Sequence, residues 1–167
     1  MSLHHLWQRF RERFLPASHR RNIASARRAI PKLRQLAIQS PARCFGYLRH
    51  MDPLVFEELV LELYLLQGFR IRRGTRYSGD GGIDGWVKVP PSQNASPVWT
   101  PIQCKRYASA INPQHVADFS DLLSRHKKHF GLFVHTGRTG ERSRAHAQGS
   151  VRFVSGDRLL QLLKGSK

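Results

Sequence analysis

A glycine-rich segment at residues 79–85 carries an aspartate, Asp84, and is followed by Gln103 and Lys105, which are two positions apart. A carboxylate, a neutral amide oxygen and an ammonium group are chemically suited to hold a divalent metal beside a phosphodiester. The metal would activate water, and the lysine would stabilise the charge that develops on the phosphate. Spacing and residue type therefore predict a site for phosphodiester chemistry, provided that neighbouring strands bring the three side chains together.

Two segments have the pattern of strands that could do this. Residues 83–89 alternate, with the apolar side chains on one face and Asp84, Trp86 and Lys88 on the other. Residues 98–105 form the next predicted strand, in which Gln103 and Lys105 point to the same side. Within this second strand, a proline at position 101 predicts an edge position or a strand that begins late.

A helix preceding these strands offers further carboxylates. Asp52 and the following proline are typical of a helix start, and Gly68 marks its end. Glu57 and Glu58 are adjacent, so their side chains point about 100° apart and only one can readily face the site. Glu57 lies at the edge of the apolar face, and we expect it to be the inward carboxylate.

Each of these residues also has a simpler interpretation. Asp84 could cap a glycine-rich turn. Gln103 and Lys105 could belong to an ordinary polar strand face. Glu57 and Glu58 could be solvent-exposed helix acids. Residue types alone do not choose between these interpretations and a catalytic site.

The charge of the chain favours an anionic partner. The 167 residues include 28 Lys and Arg but 11 Asp and Glu, a net charge of +17. Such a balance favours nucleic acid, with an anionic membrane surface as the alternative. We see no long apolar run, and the two cysteines, Cys44 and Cys104, lack the spacing of a zinc site or a disulfide framework. We therefore expect a soluble, cytoplasmic protein that is not bound to a membrane.

The first fifty residues differ in composition from the rest. They hold eleven Lys and Arg and a single acid, Glu12. We interpret them as short, partly ordered basic helices interrupted at Pro31. They could contact the DNA backbone, or form a solvated leader, a linker or a small separate helical unit. We predict a basic N-terminal extension at residues 1–50 and one α/β domain at residues 51–167, in the order α-β-β-β-α-β-α-β-α, with an antiparallel meander followed by crossover units.

Several ordered strings in the second region resemble the Mrr-like restriction endonuclease family, a branch of the PD-(D/E)XK nuclease superfamily. They are Phe56-Glu57-x-Leu59-Val60, Gly68-Phe69, GDGGIDG from residue 79, IQCKRY from residue 102 and LFV-x-TG from residue 132. The resemblance covers about residues 51–164. It implies a restriction-endonuclease-like core, that is, a mixed sheet flanked by helices with the active site on the second and third strands.

The resemblance also implies roles for particular residues. Asp84 matches the metal-binding acid of the "PD" element, with isoleucine in place of proline before it. Gln103 and Lys105 match the "(D/E)xK" element, with glutamine in place of the acid, as is usual in this branch. Glu57 matches the supplementary helix acid, and Asp80 has a supporting role.

We therefore expect a magnesium-dependent deoxyribonuclease, resembling type IV restriction enzymes, with Mn²⁺ as a possible substitute. Asp84, Glu57 and Gln103 would bind the metal together with the backbone carbonyl of Cys104, and Lys105 would assist the attacking water. The resemblance implies products with 5′-phosphate and 3′-hydroxyl ends. The expected substrate is double-stranded DNA, cut by a homodimer or by sequential nicking, in restriction of or defence against foreign DNA.

Three alternatives stay open at this point. The chain could be a weakly active or inactive DNA-binding module of the same fold, since Gln103 lowers the negative charge of the site. It could be a repair or junction-processing nuclease. It could also be a basic RNA-binding or ribosome-associated protein.

Other residues are weaker candidates for the site. Arg138 and Arg142 flank a turn and could contact phosphate, although solvated arginines are more common. His135 could line the cleft, but a packed histidine is the simpler interpretation. Trp86 and Trp99 could stack on a ligand or pack, and we expect at least one to be in the core.

Overall fold

The computed structural model describes residues 10, 12–74 and 82–165. Its helices are α1 (Ala17–Gln39), α2 (Pro41–His50), α3 (Pro53–Leu66), α4 (Pro113–Arg125), α5 (Glu141–Ala147) and α6 (Gly156–Lys164). Its strands are β1 (Arg70–Arg73), β2 (Gly85–Val89), β3 (Val98–Lys105), β4 (Gly131–His135) and β5 (Val151–Val154). The predicted order of elements from residue 51 onward is confirmed. The predicted glycine-rich turn at residues 73–82 lies largely outside the described residues.

The strands form one mixed sheet in the order β1-β2-β3-β4-β5. β1, β2 and β3 are antiparallel neighbours, whereas β3, β4 and β5 run parallel. The sheet therefore combines a meander with crossover connections through α4 and α5, as predicted. The alternation predicted for residues 83–89 is confirmed for β2, in which buried residues alternate with partly exposed ones. It is wrong for Ile83, which precedes the strand and packs in the core around Phe133 instead of sharing the face of Val87.

The prediction that Pro101 marks an edge strand or a strand that begins late is wrong, because β3 is the middle strand and begins at Val98, before the proline. β3 pairs with β2 at residues 98–102 and with β4 at residues 102–105. Pro101 thus lies in the part of β3 for which the described chain shows a ladder on one side. A missing N–H is tolerated there because it removes no bond to a second neighbour.

The interruption predicted at Pro31 is also wrong. α1 runs without a break for 23 residues, with Pro31 inside it and exposed to solvent. One side of α1 is buried, through Ile23, Ile30 and Leu33 among others. Packing of this apolar side against α3 and α6 outweighs the one helical hydrogen bond that a proline removes.

Helices cover both faces of the sheet. One core lies between α1, α2, α3 and α6 and the face that carries Val87, Ile102 and Val134. A second core lies between α4 and α5 and the opposite face, centred on Phe133. α1 and α2 therefore share a core with residues after 50, although the division into two domains stays a prediction. No helix among the described residues is long and apolar enough to cross a membrane.

A buried ion network, which we call the arginine network, ties α1 to α3 and β1. Arg73 donates to Glu58 and Glu62, and Arg27 donates to Glu62 at 2.8 Å. Both arginines also contact Glu12, at 2.7 Å from Arg27 and 3.3 Å from Arg73. The side chains of Arg73, Glu58 and Glu62 are each 4% exposed. Buried charges require such partners, so the network constrains where α3 lies on the sheet.

Close approach of α3 to β2 depends on Gly85. A Cβ at this position would lie 2.8 Å from a methyl carbon of Leu61 and 3.1 Å from the carbonyl oxygen of Arg72. The absent side chain allows the helix to pack directly on the strand. The start of β2, where Asp84 lies, is therefore brought close to α3.

Candidate active site

Asp84 is fixed at the start of β2 by two hydrogen bonds to β3. Its N–H donates to the carbonyl oxygen of Ile102 at 2.9 Å, and its carboxylate accepts from the N–H of Cys104 at 2.6 Å. The register of β2 and β3, in which Gly85 pairs with Ile102, places Asp84 opposite Gln103. Asp84 is partly buried.

Gln103 is 7% exposed and its amide is oriented by the glycine-rich segment. Its Nε2 donates to the carbonyl oxygen of Gly82 at 2.8 Å. Gly82 has a φ of 101°, and a Cβ there would lie 2.4 Å from the same Nε2. Glycine is required at position 82 for both reasons. In the described part of the chain, Oε1 of Gln103 is buried without a hydrogen-bond partner.

Lys105 ends β3 and pairs in register with His135 of β4. The alternation of the strand puts Lys105 on the same face as Gln103, and its side chain is partly exposed. The positive charge of Lys105 lowers the pKa of Glu57, which shows that the two groups lie within electrostatic reach of each other. Strand order, alternation and this interaction together bring the lysine to the site.

Glu57 is the carboxylate of α3 that faces this site. Burial, followed by the negative charges of Asp84 and Glu58, raises the pKa of Glu57 to about 8, while Lys105 opposes the rise. The two carboxylates are thus close enough to repel each other. Glu58 turns to the arginine network instead, so the interpretation of Glu58 as a solvent-exposed acid is wrong.

The donor set fits a hard divalent cation. The carboxylates of Glu57 and Asp84 repel each other, and Oε1 of Gln103 is buried without a hydrogen-bond partner among the described residues. These oxygen atoms could all be ligands of a cation, whose positive charge would relieve the repulsion. No cluster of three His, Cys, Asp or Glu side chains that could hold a metal occurs among residues 10, 12–74 and 82–165. This is compatible with Mg²⁺, which commonly takes one or two protein carboxylates and completes its shell with water and substrate phosphate.

The remaining candidates have varied outcomes. Asp80 lies outside the described residues. His135 is fully buried among aromatic rings and its Nε2 contacts the hydroxyl of Thr139 at 3.1 Å, so the packed interpretation is confirmed. Arg138 and Arg142 are exposed. The expectation that one tryptophan is in the core holds only in part for Trp86, which packs against the second core but stays partly exposed.

Sequence reasoning missed two features of this region. It did not identify the arginine network, whose partners Arg73 and Glu62 are separated by other elements or turns and carry no local motif. It also missed the contact between Gly82 and Gln103, which are 21 positions apart. The adjacency of Glu57 and Glu58 was an available signal, because two neighbouring acids on an apolar helix need two different partners.

A mixed five-stranded sheet flanked by helices, with an acid entering the second strand and a lysine ending the third, defines a restriction-endonuclease-like fold. The restriction endonuclease family model Mrr_cat matches residues 48–163. The chain therefore belongs to the restriction endonuclease family. This confirms the resemblance seen in the sequence.

Two solved structures are similar to this chain. The MspJI restriction endonuclease in complex with a 27-mer oligonucleotide is 23% identical, with a TM-score of 0.44 over 81% of this chain and 31% of that chain. The DNA modification-dependent restriction endonuclease AspBHI is 19% identical, with a TM-score of 0.40 over 90% of this chain and 36% of that chain. This chain thus corresponds to about a third of each. No match to a curated protein was found.

Proposed function

We propose that this protein is a divalent-metal-dependent endonuclease that hydrolyses phosphodiester bonds in double-stranded DNA. The observation that carries the proposal is the meeting of Glu57 and Asp84 with Lys105, which is expressed in the raised pKa of Glu57. Membership of the restriction endonuclease family supports the class of reaction. The net charge of +17 suits a polyanionic substrate.

In this proposal, Asp84, Glu57 and Oε1 of Gln103 hold the metal, with the backbone carbonyl of Cys104 as a further ligand. Bound Mg²⁺, or Mn²⁺ in its place, would supply Lewis acidity and lower the pKa of coordinated water. The N–H of Cys104 keeps the carboxylate of Asp84 oriented. Gly82 keeps the amide of Gln103 oriented.

Lys105 acts on the reacting phosphate. Its ammonium group orients the attacking water and stabilises the negative charge that accumulates on the phosphoryl oxygens. Water forms the new P–O bond while the bond to the 3′-oxygen breaks; the attacking water gives up a proton to solvent, and the departing 3′-oxygen takes up a proton from solvent to become the hydroxyl. The products carry 5′-phosphate and 3′-hydroxyl ends.

Nicking of supercoiled plasmid tests the proposal. Wild type should nick and linearise DNA with Mg²⁺ or Mn²⁺ but not with EDTA. Asp84→Asn keeps an oxygen that can accept from Cys104 but removes the charge, so cleavage should fall by a factor on the order of 100 or more. Asp121→Asn, which alters an exposed aspartate of α4, is the matched control. Equal cleavage by all three proteins would end the assignment of this site.

We infer that the biological role is restriction of foreign DNA, in keeping with the family. AspBHI is a DNA modification-dependent enzyme, and methylation of the plasmid substrate is the first variable to compare. Cleavage of methylated plasmid alone would assign this chain to the modification-dependent, type IV group. Preference for branched DNA over either plasmid would favour a junction-processing role instead. Assembly as a homodimer and a cytoplasmic location remain predictions.

A second candidate is a DNA-binding module of the same fold with little cleavage. Gln103 favours it, because an amide in place of a carboxylate lowers the charge available to a metal. Gln103→Glu distinguishes the candidates. In an active enzyme, this substitution should change the metal concentration needed for cleavage. A module that does not cleave has no such metal dependence to change, and its DNA binding without metal should stay almost the same.

A further inference from the structure

The antiparallel half of the sheet presents a face rich in cations and tryptophan, which we call the basic sheet face. The register places its residues in two rows across three strands. One row pairs Arg70 with Lys88 and Lys88 with Trp99. The other pairs Arg72 with Trp86, whose partner on β3 is a proline.

This face differs from its reverse side. Ile71, Val87 and Thr100 point the other way and are each at most 1% exposed, and Ile71 and Val87 belong to the core beneath α3. On the basic sheet face, Arg70 and Arg72 are exposed, Trp86, Lys88 and Trp99 are partly exposed, and Pro101 is buried. The helices on this side, α4 and α5, line the core over β4 and β5. Within the described chain, the cations of this face therefore stay accessible, whereas Trp86 also packs against the second core.

Cations on this face are held over aromatic rings. The guanidinium of Arg72 lies 4.1 Å from the ring centre of Trp99. The ammonium of Lys128, from the loop after α4, lies 5.1 Å from the ring centre of Trp86. Stacking of this kind restrains a cationic side chain while leaving its N–H groups available. The side chain therefore loses less conformational entropy when an anion binds.

The charged side chains of the basic sheet face are all positive as far as the candidate active site. Arg70, Arg72, Lys88 and Lys128 are cations, and Asp84 at the end of the face is the acid that we assign to the metal. No other acid lies on this face of β1, β2 or β3 in the described ranges. A run of cations without acids suits a chain of phosphates, and half-exposed indoles beside them suit sugars and bases.

The register of the strands also gives the distance between the basic sheet face and the candidate active site. Arg72 and Trp86 are two residues along the strand from the row of Asp84, and Arg70 and Lys88 are four. At about 3.3 Å per residue, the far row lies about 13 Å from the site. DNA rises about 3.4 Å per nucleotide in each strand, so this span corresponds to about four nucleotides.

We propose that the basic sheet face binds the sugar–phosphate backbone of the substrate DNA on one side of the scissile phosphate, over about four nucleotides. This inference rests on the proposed function, since it takes the scissile phosphate to lie at Asp84 and Lys105. The face would hold the substrate in register with the site without reading its sequence, because phosphate contacts position and base contacts specify.

Equilibrium binding of a short DNA duplex tests the proposal. All proteins carry Asp84→Asn, so that bound DNA is not cut. The test variant adds Arg70→Gln and Lys88→Gln. The control variant adds Arg144→Gln and Lys164→Gln, which remove the same charge from exposed positions on α5 and α6. Circular dichroism and thermal melting verify that each protein is folded.

We expect the slope of log Kd against log salt concentration to fall by about 2 in the test variant, about one unit for each phosphate that is no longer neutralised. The control variant should keep the slope of its parent. Hydroxyl-radical footprinting should show that the test variant loses protection on one side of the cleavage position only. Equal slopes for the test and control variants, or symmetric loss of protection, would overturn the proposal.

Failure of this inference can be told apart from failure of the proposed function. If wild type cuts plasmid but the test variant binds DNA as its parent does, the proposed role of the basic sheet face is refuted and the proposed nuclease activity is not. If the test variant shows the reduced slope but wild type cuts no DNA with any divalent metal, the proposed role of the basic sheet face is supported and the proposed nuclease activity is refuted.

Discussion

Two clusters of acidic and basic groups meet on the helix α3, and they differ in how their charges are balanced. In the arginine network, Glu58 and Glu62 accept from Arg73, and Arg27 adds a second guanidinium. At the candidate active site, Glu57 and Asp84 repel each other and Lys105 compensates only in part, so that the pKa of Glu57 rises to about 8. The two clusters begin at adjacent residues of one helix.

The difference separates a structural role from a chemical one. Burial raises the pKa of Glu58 although Arg73 opposes it, but a hydrogen bond from the guanidinium of Arg73 to Oε2 gives this buried carboxylate a charged partner. Such a cluster holds elements together. The cluster at Glu57 is left with excess negative potential, an arrangement that a divalent cation would relieve. Incomplete compensation is what makes the second cluster suited to bind a metal.

The largest expected effect comes from breaking the arginine network. Arg73→Met should lower the free energy of unfolding by about 3–5 kcal/mol, because it leaves two buried carboxylates without their main partner. Urea denaturation measures this change. Arg70→Met is the control, since Arg70 is exposed on the same strand and should change stability by less than about 0.5 kcal/mol. Equal effects of the two substitutions would show that the network is not stabilising the fold.

Lys105→Met should slow cleavage without changing stability, in contrast to Arg73→Met. Single-turnover cleavage should slow by about 10²–10³-fold, because a cation that acts on the developing phosphate charge is lost. The free energy of unfolding should hardly change, since Lys105 is partly exposed. Lys88→Met offers a comparison at another partly exposed lysine on the same sheet face. If both variants slow cleavage equally, Lys105 contributes to binding rather than to chemistry.

His135 shows what burial does to a titratable group that has no opposite charge beside it among the described residues. Burial lowers the pKa of His135 from 6.5 to about 4, so the folded protein keeps it neutral. Between pH 6.5 and pH 4 the unfolded chain takes up a proton that the folded chain does not, and stability falls with decreasing pH. The contribution approaches about 3 kcal/mol at the lower end. Denaturation at several pH values should show a weaker dependence in His135→Phe, and an unchanged dependence would contradict the assignment.

Adjacent substitutions on α3 sharpen the comparison most directly. Glu58→Gln should cost about 1.5–3 kcal/mol of stability, because it loses the charge-assisted hydrogen bond from Arg73. Glu57→Gln should not lower stability: because the pKa of Glu57 is raised to about 8 in the folded protein, the amide removes an acid that opposes folding near pH 7, and the free energy of unfolding should rise. Metal-dependent cleavage should fall in the Glu57 variant and persist in the Glu58 variant under conditions where both are folded. Reversal of either pattern would mean that the two acids have exchanged roles.

Much of the antiparallel half of this fold could be predicted from local pattern. The alternation in β2 and β3 indicated which residues share a face, and Asp52 with Pro53 indicated where α3 begins. These signals lie within a few residues of each other, and they report side-chain direction because the period of a strand is fixed by its backbone. The faces of Asp84, Gln103 and Lys105 could be assigned in this way.

Long-range packing decided the rest. Pro31 was predicted to break a helix, but a buried apolar side holds α1 together through it. Pro101 was predicted to mark an edge, but β4 joins β3 beyond it. In both cases a local propensity was outweighed by packing and pairing with elements far away in the chain.

The sequence by itself determined the strand faces and the type of chemistry, because residue type and period are properties of a short segment. The sequence predicted that Glu57 faces the candidate active site, but only the tertiary structure showed that Glu58 belongs to the arginine network. The division between the two acids depends on Arg27 and Arg73, which reach α3 from two other elements. It also depends on Gly85, which allows α3 to approach β2. Charges are balanced in three dimensions, and no period along the chain records their partners.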